Sequence, residues 1–293
     1  MKDIKLLRVI DLILWGERVL KEAGFDNSRQ EAEILLSFSM DTPFKSLLMR
    51  LNEEVSPNVE SYYRKLVMKR QEHHPLQYLT GIQYFMSLEF EVNEYVLIPR
   101  WDTERLVERA LELLKKKEQP WVIDVGTGSG AIAVSLAKYH AQVNIFALDI
   151  SPQALEIAKR NACRHGVEKR VTFFSGDLLS PILNSSLYQN IKFDAVVSNP
   201  PYIPREQIKD LPKDVQKEPH LALDGGEDGL TCYRDLLPQV KKVLKPGGYL
   251  LLEIGFDQAK DVEEICRTND FADISVSRDY AQRDRVISAC NKG

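Results

Sequence analysis

Val122-Ile123-Asp124-Val125-Gly126-Thr127-Gly128-Ser129-Gly130 is a strand of apolar character running into a glycine loop, and Ala131 to Tyr139 continues it as a helix. Glycines at such a turn let the chain close tightly and bring backbone against a ligand with no Cβ in the way. Outward from this unit, strands and helices alternate. Val143 to Leu148 reads as a second strand backed by a helix from Pro152 to His165. Arg170 to Phe174 reads as a third strand and Phe193 to Val197 as a fourth. A helix from Leu230 to Leu244 ends in Lys245-Pro246-Gly247-Gly248, ahead of a strand from Tyr249 to Ile254. This alternation predicts an α/β fold, a parallel sheet covered by helices on both faces. Ile274 to Ser277 and Val286 to Cys290 supply two more strands. The polar stretch between them is too short for a crossover helix, so the final strand is expected to run antiparallel.

Upstream of the glycine loop the pattern changes. Ile4, Leu7, Ile10, Leu14 and Val19 suggest a first helix ending near Gly24. Ser28 with Glu31 forms a capping-box signature for a second. Thr42-Pro43 reads as an N-cap with proline at the first helical position. Pro57 opens a further helix expected to reach His74. Residues 84–98 look like two short strands around a turn at Asn93-Glu94. From Thr103 a helix resumes and breaks at Pro120. The expected organisation is a helical domain over residues 1–80 for substrate recognition, then a β-hairpin linker and a catalytic domain over 81–293.

The bulk composition narrows the class. A chain of 293 residues with 44% hydrophobic and 28% charged residues is ordinary for a globular protein. No run of eighteen apolar residues occurs, and the stretch from Leu6 to Trp15 carries Arg8 and Asp11, so neither a membrane span nor a signal peptide is expected. The four cysteines, Cys163, Cys232, Cys266 and Cys290, are far apart and form no C-x-x-C pair. Reduced thiols, a cytoplasmic location and no metal site follow as expectations. The net charge of −4 argues against a chain that grips many phosphates, and residues 1–80 hold twelve Lys and Arg against twelve Asp and Glu.

The candidate site residues sit where the strands end. Gly126, Thr127, Gly128, Ser129 and Gly130 follow the first strand, and Asp149 ends the second, where an acid can accept hydrogen bonds from ribose hydroxyls. Gly176-Asp177 follows the third, a polar strand end suited to an adenine edge. Asn199-Pro200-Pro201-Tyr202 follows the fourth and presents an amide, a backbone carbonyl and an aromatic ring, a set suited to a flat NH2 group. Gly126, Gly128 and Ala131 also satisfy the loosened dinucleotide pattern, which leaves a nicotinamide-dependent oxidoreductase as a rival, though one with no use for Asn199 to Tyr202. Asp124, two residues before the first glycine, can orient the loop and help hold an amino-acid-like moiety. The tight glycine spacing suits a cofactor with no pyrophosphate. Both details favour S-adenosyl-L-methionine, and a mostly parallel sheet with an antiparallel last strand is the pattern of Rossmann-like methyltransferases.

Nearly the whole chain resembles the release factor glutamine methyltransferases, the HemK or PrmC family. The matching stretches are Pro75 to Gly81, Leu97-Ile98-Pro99-Arg100 with Asp102-Thr103-Glu104, Gly126 to Gly130, Asn199 to Tyr202, and Glu218-Pro219 with Ala222-Leu223. Gly225-Gly226 with Asp228-Gly229-Leu230, and Arg278-Asp279-Tyr280 with Asp284-Arg285, complete the set. The resemblance implies a helical N-terminal domain, a linking hairpin and a catalytic domain that methylates the glutamine of the Gly-Gly-Gln motif in peptide chain release factors. Carried over by motif, Gly126 to Gly130, Asp149 and Asn199 contact the donor, and Asn199, Pro200, Pro201 and Tyr202 the substrate glutamine. Leu178 stands in the adenine pocket, where some members carry an aromatic residue, and serves through apolar packing.

The chemistry expected of these residues is positional. Asn199 and the Pro200 carbonyl accept the two amide hydrogens and Tyr202 packs on the amide plane, with S-adenosyl-L-homocysteine as the product and no metal required. Arg100 is a candidate anchor for the substrate backbone, or else the partner of Asp102 or Glu104, and Glu218 is expected to order the loop after Tyr202. The chain is expected to act as a monomer, with no direct contact to nucleic acid or membrane. Alternative acceptors are a ribosomal-protein glutamine or adenine N6 in DNA; a catalytically silent binding protein would leave Asn199 to Tyr202 without a purpose.

Overall fold

The computed structural model describes residues 6–293, so Ile4 lies outside the described residues. The chain divides into two compact units. One holds the described residues up to Gly81 together with Pro212–Lys217; the other holds Ile82–Leu211 and Glu218–Gly293.

The first unit is helical: α1 (Val9–Glu22), α2 (Ser28–Ser39), α3 (Phe44–Leu47), α4 (Pro57–Gln71) and α5 (Leu76–Thr80). Val9, Leu12, Ile13 and Leu20 of α1 are buried on one face against Leu35 and Leu36 of α2 and Tyr63 and Val67 of α4. The Tyr63 hydroxyl donates to the Leu12 carbonyl at 3.2 Å, and Gly16 makes room for it, since a Cβ there would lie 2.0 Å from the Tyr63 oxygen. Two expected helix starts are displaced. Asn27, not Ser28, is the N-cap of α2, and Glu31 does not reach back to the helix end; it is drawn instead to Arg70 at 2.6 Å in a buried ion pair. Pro43 itself caps α3, one residue beyond the expected Thr42, and α4 stops at Gln71 rather than His74.

The second unit opens with β1 (Ile82–Phe85) and β2 (Leu88–Glu91), an antiparallel hairpin. Its turn is Met86-Ser87, not Asn93-Glu94. Both turn residues take left-handed φ angles, 50° and 58°, which tight hairpin turns require and which carry no Gly or Asn signal here. Residues 93–99 form no strand; Asn93 Oδ1 accepts the Tyr95 amide in a local turn. Then follow α6 (Glu104–Leu114), β3 (Trp121–Val125), α7 (Ala131–Tyr139), β4 (Asn144–Asp149), α8 (Pro152–Arg164), β5 (Val171–Ser175), α9 (Ser180–Leu183) and β6 (Phe193–Ser198). The chain continues through α10 (Thr231–Val243), β7 (Leu244–Glu253), α11 (Ala259–Thr268), β8 (Phe271–Arg278) and β9 (Asp284–Asn291).

The seven-stranded sheet has the order β5-β4-β3-β6-β7-β9-β8. Strands β5 to β7 are parallel, and β9 runs antiparallel to both of its neighbours. Successive side chains alternate between two cores. Val122 joins Leu106, Val107, Ala133 and Ala162 from α6, α7 and α8, while Ile123 faces Leu236, Leu237, Val262 and Cys266 from α10 and α11. The register aligns the carboxyl ends: Val125 pairs with both Leu148 and Ser198, and Asp149 with Ser175. Gly126, Asp149, Gly176 and Asn199 therefore emerge along one edge of the sheet. Among the described residues, no helix is long and apolar enough to cross a membrane.

Candidate active site

A cavity of about 310 Å³ opens at that edge. Gly126 and Gly128 border it, as do Asp149, Asp177, Leu178, Asn199, Pro200 and Pro201. At Gly126 and Gly128 a Cβ would meet no atom within 4 Å, and φ is +72° and +55°, so a bare, left-handed backbone faces the space. Thr127, Ser129 and Gly130 do not border it. Thr127 turns inward to donate to Asp124 Oδ2 at 2.6 Å, the Ser129 carbonyl accepts from Asn161, and Gly130 packs on Ala158. These three build the loop rather than face the cavity.

Two acids shape the loop from opposite sides. Asp124 is fully buried. Its Oδ2 accepts from Thr127 and from the Ala133 amide, while Oδ1 finds no partner among the described residues. Burial outweighs those hydrogen bonds and pushes its pKa up to about 7. Asp149 accepts the Gly128 amide at 2.8 Å through Oδ2 and the Ser151 amide at 2.9 Å through Oδ1. Its pKa is raised by burial, against these backbone donors.

Asn199 borders the cavity and donates through Nδ2 to Thr103 Oγ1 at 3.1 Å, leaving Oδ1 as its open acceptor. Tyr202 is not among the bordering residues. Its ring packs on the core beneath, its hydroxyl lies 3.4 Å from Glu253 Oε1, and burial raises its pKa well above the usual phenol range. The backbone here is braced by the Gly225 to Leu230 segment. A Cβ at Gly225 would lie 2.8 Å from Tyr202 Cα, and one at Gly229 would lie 2.4 Å from the Tyr202 carbonyl oxygen. Gln258 donates to that same oxygen at 3.0 Å.

Arg100 does not border the cavity. Its guanidinium donates to Glu218 at 2.5 Å, whereas Asp102 faces Arg285 and Glu104 accepts the Met86 amide. Glu218 also accepts the Ile98 amide, and so ties Leu97-Ile98 to Pro219. Leu97 and Val96 border the cavity on one side, and Pro219, Leu221 and Ala222 on another.

Several residues of the site escape a sequence reading. Cys232 borders the cavity with a thiol that burial pushes up to about 12. Glu253, 1% exposed at the end of β7, and Thr103 stand behind Asn199 and Tyr202. The available signal for Glu253 was a lone acid inside the apolar run Tyr249 to Ile254.

Comparison with known proteins agrees with this architecture. Residues 116–285 match a family described as a methyltransferase domain, and residues 11–81 match the PrmC N-terminal domain. A solved methyltransferase from Pyrococcus furiosus superposes with a TM-score of 0.50 at 16% identity, covering 79% of this chain and 98% of that one. The hMettl16 catalytic domain, solved with the MAT2A 3'UTR hairpin 6, gives 0.56 at 13% identity, covering 80% and 81%. These two likenesses concern the fold alone. The release factor glutamine methyltransferase of Moorella thermoacetica is 47% identical over 277 residues, 94% of this chain and 96% of that protein. That of Clostridium acetobutylicum is 40% identical over 288 residues, 98% and 100% of the two chains. With a sheet of this order, a glycine loop and Asn199 at one edge, and relatives matched over nearly their whole length, the chain belongs to the release factor glutamine methyltransferase family.

Proposed function

We propose that this chain transfers a methyl group from S-adenosyl-L-methionine to the side-chain amide nitrogen of a glutamine, that of the Gly-Gly-Gln motif in a peptide chain release factor. The observation that carries this reading is Asn199, whose amide nitrogen is held by Thr103 while its oxygen stays open at the cavity wall. A glutamine NH2 has two hydrogens to donate. Asn199 Oδ1 accepts one and the Pro200 carbonyl the other, which holds the nitrogen within about 3–3.5 Å of the carbon it attacks. Both contacts strengthen as positive charge develops on nitrogen. Tyr202 serves from beneath, by fixing the backbone that carries the Pro200 carbonyl.

The residues present fit the donor, which supplies an electrophilic methyl group on a sulfonium. Asp149 retains lone pairs for ribose hydroxyls beside its two backbone donors. Asp177 and Leu178 offer a polar edge and an apolar face for a base. Asp124 orients the loop from within, by accepting from Thr127 and from the Ala133 amide. Transfer forms an N–C bond and breaks an S–C bond, leaving S-adenosyl-L-homocysteine, and the nitrogen's proton passes to water.

The test is to incubate the enzyme and the donor with a purified release factor and, in parallel, with duplex DNA. Mass spectrometry of the release factor should locate one added methyl on the Gly-Gly-Gln glutamine. Methylated adenine alongside an unmodified glutamine would overturn the assignment.

A further inference from the structure

Three side chains hold the glycine loop. Two of them, Asp124 and Asp149, come from β3 and β4; the third, Asn161, comes from α8 and is 0% exposed. Its Nδ2 donates to the Ser129 carbonyl at 2.8 Å. In a regular helix that carbonyl would bond the amide four residues on, but the Ala133 amide is taken by Asp124. The same Asn161 side chain also reaches β2. Its Oδ1 accepts the Glu91 amide at 2.8 Å, and Nδ2 donates to the Glu91 carbonyl at 3.0 Å. An amide side chain offers one oxygen and two hydrogens, and all are engaged. Turned over, it would set NH2 against an N–H and oxygen against two carbonyls, so its orientation is fixed.

Glu91 is where the hairpin ends and a short strap, residues 92–98, begins. Val92 and Val96 of the strap are buried. Asn93 closes a turn within it, accepting the Tyr95 amide at 3.0 Å through Oδ1 and the Val96 amide at 3.1 Å through its carbonyl. At the far end Glu218 accepts the Ile98 amide. Between these two ties, Glu94, Tyr95, Val96 and Leu97 border the same cavity as Gly126 and Gly128. One buried amide is thus bonded to the root of both walls. Arg160 also reaches Glu91, but through a carboxylate pair at the surface, at 2.6 Å, and pairs of that kind contribute little.

We propose that Asn161 is a positioning residue for the methyl donor: by bonding Ser129 and Glu91 together it sets the spacing between the glycine loop and the strap, and with it the fit of the donor between them. The role rests on the reading that S-adenosyl-L-methionine occupies this cavity. It leaves the reacting end alone, because Asn199 is held by Thr103 and the Tyr202 carbonyl by Gln258. The cost of a loosened spacing therefore falls on donor affinity rather than on the chemical step.

The experiment titrates S-adenosyl-L-methionine into wild type, Asn161→Asp and Arg160→Ala by calorimetry, and measures methylation of a release factor at saturating donor. Asn161→Asp keeps the acceptor for the Glu91 amide but turns an oxygen towards the Glu91 and Ser129 carbonyls. Its donor Kd should rise about 10-fold, the equivalent of one buried hydrogen bond, while kcat stays near wild type. Arg160→Ala should leave both unchanged. A wild-type Kd in Asn161→Asp, or equal weakening in Arg160→Ala, overturns the proposal. If Asn161→Asp fails to fold, hydrogen exchange on wild type decides. Donor binding should then slow exchange of the Glu91 amide together with that of Gly128, and protection of Gly128 without Glu91 overturns the proposal. Wild type that binds no S-adenosyl-L-methionine would overturn the donor assignment, and the proposal with it.

Discussion

Glu218 Oε1 lies 2.5 Å from Arg100 Nη2, and Oε2 of the same carboxylate accepts the Ile98 amide at 3.0 Å. One buried side chain thus joins two segments that each supply a wall of the cavity. Glu218→Ala leaves the Ile98 amide without its acceptor and should cost about 2–3 kcal/mol of stability. It should also weaken donor binding, because Leu97 and Pro219 lose their common anchor. Calorimetry with the donor checks this: a Kd matching wild type would show that the two walls hold without Glu218.

Asn199→Ala removes the open acceptor while leaving β6 intact. Turnover should fall by at least about 10²-fold, as when a preorganised hydrogen-bonding group is lost from a reacting centre. The melting temperature should stay near wild type, since Asn199 is only partly buried. Single-turnover methylation with labelled donor, read beside a thermal melt, separates the two effects.

Gly225→Ala places a Cβ 2.8 Å from Tyr202 Cα and equally close to Gly229 Cα. Both contacts are to backbone, so relief requires the segment that follows Asn199 to move. Stability should drop by about 1–3 kcal/mol, as for overpacked cores, and kcat should suffer more than donor affinity. Denaturant unfolding and steady-state kinetics on the same preparation provide the comparison.

Asp124 has its pKa raised to about 7 by burial. A carboxyl raised on folding contributes its stabilisation below the unfolded value of about 4, and the contribution is lost as pH rises through the folded value. Asp124→Asn is free of this loss. Relative to wild type, the variant should therefore gain stability between pH 4 and pH 7, by at most on the order of 4 kcal/mol. Urea unfolding of both proteins across that range tests the sign; a difference independent of pH would mean that Asp124 is ionised throughout.

The legible parts of this protein were those that obey a short repeat. The alternation of strands and helices and the glycine loop at Gly126 placed the sheet, and the acids and amides at strand ends placed Asp149, Asp177 and Asn199. The hairpin was misplaced because Met86 and Ser87 adopt left-handed backbone without turn residues, and tertiary packing overrides local preference there. Glu31 was read as a cap because the motif is local, but its partner Arg70 lies thirty-nine residues on. Thr103 is invisible as a partner of Asn199 for the same reason: the two lie ninety-six residues apart. Tyr202, expected to pack on the substrate amide plane, does not border the cavity and packs against the core.

The place of β9 in the sheet bears on how the protein comes into being. This strand is made after β7 and β8, yet it slots between them. It carries Arg285, which pairs with Asp102 and binds the carbonyl next to Glu253. Until it arrives, β7 has an open edge, the kind of edge that invites pairing with other chains. The glycine loop needs only strands that precede β7, whereas the backbone around Glu253 gains Arg285 only once β9 has entered the sheet.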